Sequence, residues 1–369
     1  MNVEMLNLNP LLEHLPVYKP GRPIEEVARE IGVPFSDVAK LASNENPLGP
    51  SPEAVSAMQS AIASVNLYPD GNAYFLKRCL IEKYDVLGSQ IVLGNGSNEL
   101  IEFVGHALLG PGTNIVVSQY CFAIYPIVAK LFGADVITVP AVEYGSDLPG
   151  MAAAVNSETK ILFLANPNNP TGTLANAESV WALISQIPSD VLIVIDEAYI
   201  EYLENPQDLL PLVRGGDLPN LFLMRTFSKI YGLAGLRIGY GLGGESLVGA
   251  LEKIRQPFNC NLVSQTAAVA ALSDVTHVEK SRDLNRRELA RYEAVCEEKE
   301  WQFVPSFANF ILIRVGDGAG IYQGLLEQGI IARPMAGYQL PEWLRISIGT
   351  ESENSRCIKA LCEIMEQGQ

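Results

Sequence analysis

The sequence predicts an α/β protein, a mostly parallel sheet flanked by helices, followed by a smaller α+β unit. Three observations carry that prediction. From about residue 91, short apolar runs alternate with helical stretches, the runs being 91–93, 115–117, 136–139, 161–165, 191–195 and 221–224. Each run is a continuous apolar block, as strands buried on both faces should be, so helices such as 99–109 and 123–132 belong on the two faces of a sheet. After Gln265 the texture changes to a long charged helical segment (278–300), two strands (309–315 and 344–348) and a closing helix (352–366).

Residues 1–45 read as a loop-rich arm, punctuated by Pro10, Pro16, Pro20, Pro23 and Pro34, with one short helix at 24–31. The segment LASNENPLGPSP (41–52) is an extended turn that leads into a helix at 52–63, and LYPDGNAY (67–74) is a second turn-rich loop. The expected division is an arm at 1–45, a large ligand-binding domain at 46–264 and a small domain at 265–369. No repeat or low-complexity segment interrupts it.

At 369 residues the chain exceeds one ordinary domain, and 48% hydrophobic content suffices for a large core. No apolar run approaches the roughly 18 residues of a membrane span. The stretch MNVEMLNLNPLLEHL lacks a signal-peptide pattern, so a cytoplasmic protein is expected. A net charge of −16 argues against a nucleic-acid or anionic-membrane surface. Any anionic ligand must therefore be held by local arginines. Neither the six cysteines nor His14, His106 and His277 form a CxxC or metal-ligand pattern, so no metal and mostly reduced thiols are expected.

The polar residues fall just past the predicted strands, where open α/β sheets bind ligands. The most informative stretch is TFSKIYGLAGLRIGY (226–240). Lys229 stands past an apolar strand in a small, polar turn. There its ammonium loses hydration and more readily becomes an amine able to form a Schiff base. Arg237 offers a planar fork for a phosphate ester, with hydroxyls from Thr226 and Ser228. Run 91–93 leads into GNGSNE, where Ser97 and Asn98 at a helix N-terminus make a second part of an anion seat. Run 115–117 leads to Tyr120, Phe122 and Tyr125, any of which can stack on a flat ring. Run 161–165 ends in the rigid turn NPNNPTG, with exposed amides expected on Asn168 and Asn169. Run 191–195 ends in DEAY, where Asp196 is either a helix cap or a buried carboxylate in need of a cation, and Tyr199 can donate to a ring hydroxyl. Together these imply one flat, phosphorylated heteroaromatic aldehyde. Pyridoxal 5'-phosphate fits every part.

These motifs resemble those of the fold type I pyridoxal-phosphate aminotransferases, over nearly the whole chain. The NENPLGPS opening, Tyr68–Pro69 and the closing IIARPMAGYQLPEWLRISIG (330–349) draw the likeness towards the histidinol-phosphate branch. The resemblance implies transamination between histidinol phosphate and 2-oxoglutarate in histidine biosynthesis. By the same likeness Lys229 is the Schiff-base lysine and proton carrier, Asp196 keeps the pyridine protonated, and Asn169 and Tyr199 hold the ring hydroxyl. Tyr68 would reach the cofactor phosphate of a neighbouring subunit, making a homodimer the active unit. Tyr18, Arg333 and Arg345 would contact substrate, with Arg345 gripping its anionic end. Phe122 stands where a stacking tyrosine is common in the family. Aromatic amino-acid aminotransferases and a threonine-phosphate decarboxylase share most of these motifs. A cofactor-binding regulator would need a basic DNA-binding head, and the first 45 residues offer none.

Overall fold

The computed structural model describes residues 9–15, 17 and 21–367. A seven-stranded sheet forms its centre, in the spatial order Ile91–Gly94, Gly239–Gly243, Leu221–Thr226, Leu192–Asp196, Thr159–Ala165, Asn114–Ser118, Asp135–Val139. All pairings are parallel except those of Gly239–Gly243, which runs antiparallel to both neighbours. The six predicted runs are all strands, and the seventh strand is the one the apolar pattern does not reveal. Asp135–Val139 differs from expectation in another way. It is the sheet's edge, and only Val139 in it is buried.

Helices cover both faces because each places an apolar stripe on the sheet. Their starts follow side-chain capping. Ser51 accepts from Ala54 N–H at 3.1 Å and opens Pro52–Ile62, while Asn176 accepts from Ser179 N–H at 2.8 Å and opens Ala177–Gln186. The long charged helix runs Val275–Glu298, three residues earlier than its charge pattern suggests, because Asp274 accepts from His277 N–H at 3.0 Å.

A second, four-stranded antiparallel sheet takes the order Arg333–Pro334, Trp343–Ser347, Phe310–Arg314, Phe303–Val304. The segment at 39–46 ties the two sheets together. Ala39–Lys40 pairs in parallel with Ile330–Ile331, and Leu41 O accepts from Ser347 N–H at 2.8 Å. A few residues on, Asn46 Nδ2 donates to Ile230 O at 2.6 Å, beside Lys229. Among the described residues no helix is long and apolar enough to cross a membrane.

Candidate active site

A cavity of about 110 Å³ opens beyond the carboxyl ends of the parallel strands. Ten of the residues singled out in the sequence line it: Ser97, Asn98, Phe122, Asn169, Asp196, Tyr199, Thr226, Ser228, Lys229 and Arg237. Four do not. Tyr68 is 82% exposed and stacks on Phe258, Arg333 lines a neighbouring cavity, and Arg345 lies behind Asn169. Tyr18 lies outside the described residues.

One end of the cavity is built for an anion. The helix Ser97–Leu108 begins after Gly96, whose φ of +82° suits glycine, and no side chain caps it. Its first N–H groups therefore remain available at the cavity wall, at the positive end of the helix dipole. Arg237 has the left-handed φ of 56°, and its guanidinium returns over Gly96 so closely that a Cβ there would collide with Nη2. Nη1 donates to Ala234 O at 3.0 Å and to Ser228 Oγ at 3.4 Å. Ser228 N–H in turn donates to Thr226 Oγ1 at 3.1 Å. A fixed guanidinium, two hydroxyls and a helix N-terminus converge on one spot, which suits a phosphate ester.

At the other end Asp196 is buried as the last residue of its strand. Its Oδ1 accepts from Ala198 N–H at 3.2 Å and its Oδ2 from Tyr125 OH at 2.8 Å. Burial raises the Asp196 carboxyl above its ordinary range, and the Tyr125 hydrogen bond pulls it back down. Asp196 is thus a buried carboxylate and not a helix cap, since the helical turn that follows, Ile200–Tyr202, starts after Tyr199.

The aromatic trio divides by role. Only Phe122 faces the cavity. Tyr125 lies flat on Phe163, with ring centroids 4.5 Å apart, and serves Asp196 through its hydroxyl instead of stacking on a ligand. Tyr120 stacks on Tyr144, 6.0 Å away. The NPNNPTG turn also departs from expectation. Asn168 is buried and structural, its Nδ2 donating to Tyr120 O at 2.8 Å and Thr171 Oγ1 at 2.7 Å, while Pro167 and Asn169 line the cavity.

Lys229 sits between the two ends. Its Nζ lies 3.4 Å from Ser43 O and 5.6 Å from the centre of the Tyr199 ring. The Tyr199 hydroxyl accepts from Asn44 Nδ2 at 2.9 Å. Asn44 is a site neighbour that sequence reasoning passed over, and its only signal is an asparagine in a turn, where φ of 55° is tolerable.

Arg345 is not at the start of its strand but at the centre of Trp343–Ser347, with Leu312 opposite on one side and Arg333 on the other. Its Nη1 donates to Asn169 Oδ1 at 2.6 Å and its Nη2 to Ala42 O at 2.9 Å. Arg333 and Arg345 are thus register partners on adjacent strands, outside the set of residues that line the cavity.

The residues fit a phosphorylated pyridine aldehyde. The Arg237 end suits the phosphate, Phe122 a ring face, the buried Asp196 carboxyl a protonated ring nitrogen, and Lys229 the carbonyl. Comparison with known proteins agrees. The profile of the family "Aminotransferase class I and II" matches residues 36–361. Histidinol-phosphate aminotransferase of Akkermansia muciniphila is 46% identical over 366 residues, 99% of this chain and all of that protein. Histidinol-phosphate aminotransferase 2 of Pseudomonas fluorescens is 45% identical over 97% of each. The crystal structure of histidinol-phosphate aminotransferase from Sinorhizobium meliloti in complex with pyridoxal-5'-phosphate superposes with a TM-score of 0.88 at 28% identity, covering both chains fully. Matched in both its profile and its full length, the chain belongs to the class I and II aminotransferase family.

Proposed function

We propose that this chain is a pyridoxal-phosphate-dependent aminotransferase that exchanges the amino group of histidinol phosphate with 2-oxoglutarate, a step of histidine biosynthesis. The observation that carries the substrate reading is the Arg333–Arg345 pair, placed directly across two strands. A phosphate ester with two negative charges gains from both cations, whereas the single carboxylate of an aromatic amino acid needs one. The full-length relatives bearing the histidinol-phosphate name support the same choice.

When bound, pyridoxal phosphate supplies a carbonyl and a ring that takes up the electron pair released at the substrate's α-carbon. The chain's residues do the rest. Ser97, Asn98, Thr226, Ser228 and Arg237 hold the phosphate, and Phe122 covers one ring face. Asp196 keeps a proton on the ring nitrogen, and Asn169 and Tyr199 hold the ring hydroxyl. Lys229 Nζ supplies the amine and carries the proton between the substrate's α-carbon and the carbonyl carbon. Arg345 grips the substrate anion in both half-reactions, with Arg333 adding charge for the phosphate.

The reading includes a homodimer, with Tyr68 serving the other subunit's phosphate. Tyr68 lies outside its own chain's cavity, and Val65, Leu67 and Phe75, near it in sequence, are also exposed. It also includes a large lobe at 46–264, a small lobe at 265–369 and a cytoplasmic location. Single-turnover rates with histidinol phosphate, glutamate, phenylalanine and tyrosine test it. Histidinol phosphate should outpace both aromatic donors. Arg333→Ala should slow histidinol phosphate at least tenfold more than glutamate, about the loss of one charge-assisted hydrogen bond. Equal slowing of both donors, or faster aromatic donors in the wild type, moves the assignment to an aromatic amino-acid aminotransferase.

A further inference from the structure

We propose that Asn44 is a positioning residue that sets the direction of the Tyr199 hydroxyl proton, and through it the proton affinity of the cofactor's ring oxygen. The proposal rests on the cofactor reading above. Asn44 is 1% exposed, and four hydrogen bonds fix it. Its backbone N–H donates to Ser347 Oγ at 2.8 Å, and its backbone O accepts from Asn309 Nδ2 at 2.9 Å. Its Oδ1 accepts from Ser347 Oγ at 2.9 Å, which leaves Nδ2 to donate to Tyr199 OH at 2.9 Å.

The orientation of this carboxamide is determined. Ser347 Oγ has one proton and already receives the Asn44 backbone N–H. Turned over, the carboxamide would offer Ser347 a second donor and strand the serine proton in a buried site, an unfavourable outcome. So the amide nitrogen faces the phenol. A phenol oxygen that receives an N–H on a lone pair keeps its own proton to donate elsewhere, and the elsewhere is the cavity that Tyr199 lines. Were an acceptor in the place of Nδ2, the hydroxyl would turn its proton towards that acceptor. The ring oxygen would then lose a donor.

Arg345 stands two residues before Ser347 on the same strand face, and its guanidinium holds Ala42 O, two residues before Asn44. The segment 42–44 thus joins the substrate-anion arginine to the ring-hydroxyl tyrosine.

The test is a pH titration of the bound cofactor's visible absorbance in the wild-type holoenzyme, Tyr199→Phe, Asn44→Asp and Ser347→Ala. Aspartate nearly keeps the shape and tolerates positive φ, but it presents an acceptor where Nδ2 stood. Loss of a donor to an oxygen that carries negative charge raises its proton affinity. Tyr199→Phe should therefore move the titration to higher pH, and Asn44→Asp should move it the same way by about one pH unit, a tenfold change. Ser347→Ala, which releases the carboxamide to turn, should give a smaller shift of the same sign and serves if the aspartate variant does not fold. A residue with a merely structural role would lower the unfolding midpoint and leave the titration in place. If Tyr199→Phe shifts the titration while Asn44→Asp and Ser347→Ala leave it unmoved, this proposal is overturned alone. A wild-type protein with no titrating visible band overturns the cofactor reading and this inference with it.

Discussion

The residue with the least freedom in this site is Asp196. The role proposed for it requires an ionised carboxyl in a buried place, and burial alone drives that carboxyl the wrong way. The Tyr125 hydroxyl at 2.8 Å opposes that drift, and Tyr125 is itself clamped flat against Phe163. Tyr125→Phe should therefore raise the Asp196 carboxyl further while leaving the packing nearly intact. The sign follows. A higher carboxyl pKa means that the negative charge needed by a protonated ring nitrogen is lost at a higher pH as the solution is acidified. One hydrogen bond to a charged group is worth about 1.5–3 kcal/mol, so the acid limb of cofactor affinity should move up by about 1–2 pH units. Equilibrium titration of apoprotein with pyridoxal phosphate between neutral and acid pH checks this, and superimposable curves for variant and wild type would exclude the role. Asp196 and Lys229 were legible in the sequence because each is a charge at or just past the end of an apolar strand, and Arg237 because it follows Lys229 in the same polar stretch. Tyr125 and Asn44 were not. Their roles depend on which hydroxyl or amide meets which partner across 71 and 155 residues of chain, and nothing local encodes that.

Among the elements, Gly239–Gly243 shows what the apolar pattern hides. Its sequence, GYGLG, has glycines at alternate positions, which reads as a turn instead of a strand. The structure supplies the reason. A Cβ on Gly241 would stand inside the Phe222 ring of the neighbouring strand, and one on Gly239 would press on the Ser97 N–H at the anion seat. Gly239 and Gly241 share one face of the strand, and that face is left bare so that the Phe222 ring and the helix N-terminus can both approach it. Gly241→Ala should therefore destabilise the fold by about 1–3 kcal/mol, the usual range for overpacking, read as a lower urea midpoint. Combining it with Phe222→Leu should recover part of the loss, because the ring is what the methyl meets. If the double variant is as unstable as the sum of the singles, the clash is not the cause. The remaining strands were readable because their apolar runs are buried on both faces. The edge strand Asp135–Val139 was predicted by the same argument, but there the burial does not follow: its run is β-branched and apolar, yet only Val139 is buried.

At the scale of the whole molecule, the cavity of one chain holds ten of the predicted residues but not Tyr68. That tyrosine is exposed and stacks on the exposed Phe258, with ring centroids 4.7 Å apart. A two-fold interface brings the same patch of each copy onto the other, so a residue that misses its own site can complete its neighbour's. Two damaged chains then make one good site. In a heterodimer of Lys229→Ala and Tyr68→Ala, purified through two different tags, one site lacks both groups. The other has Lys229 from the Tyr68→Ala chain and Tyr68 from the Lys229→Ala chain, and is whole. Its activity should reach half that of wild type. The Lys229→Ala homodimer should be inactive, and the Tyr68→Ala homodimer should be weakened about tenfold, as expected for one lost hydrogen bond to an anion. If Tyr68 instead served its own chain, each site of the heterodimer would carry one lesion, and its activity could not exceed half that of the Tyr68→Ala homodimer. Sedimentation as a monomer at assay concentration, with full activity, would refute the shared site directly.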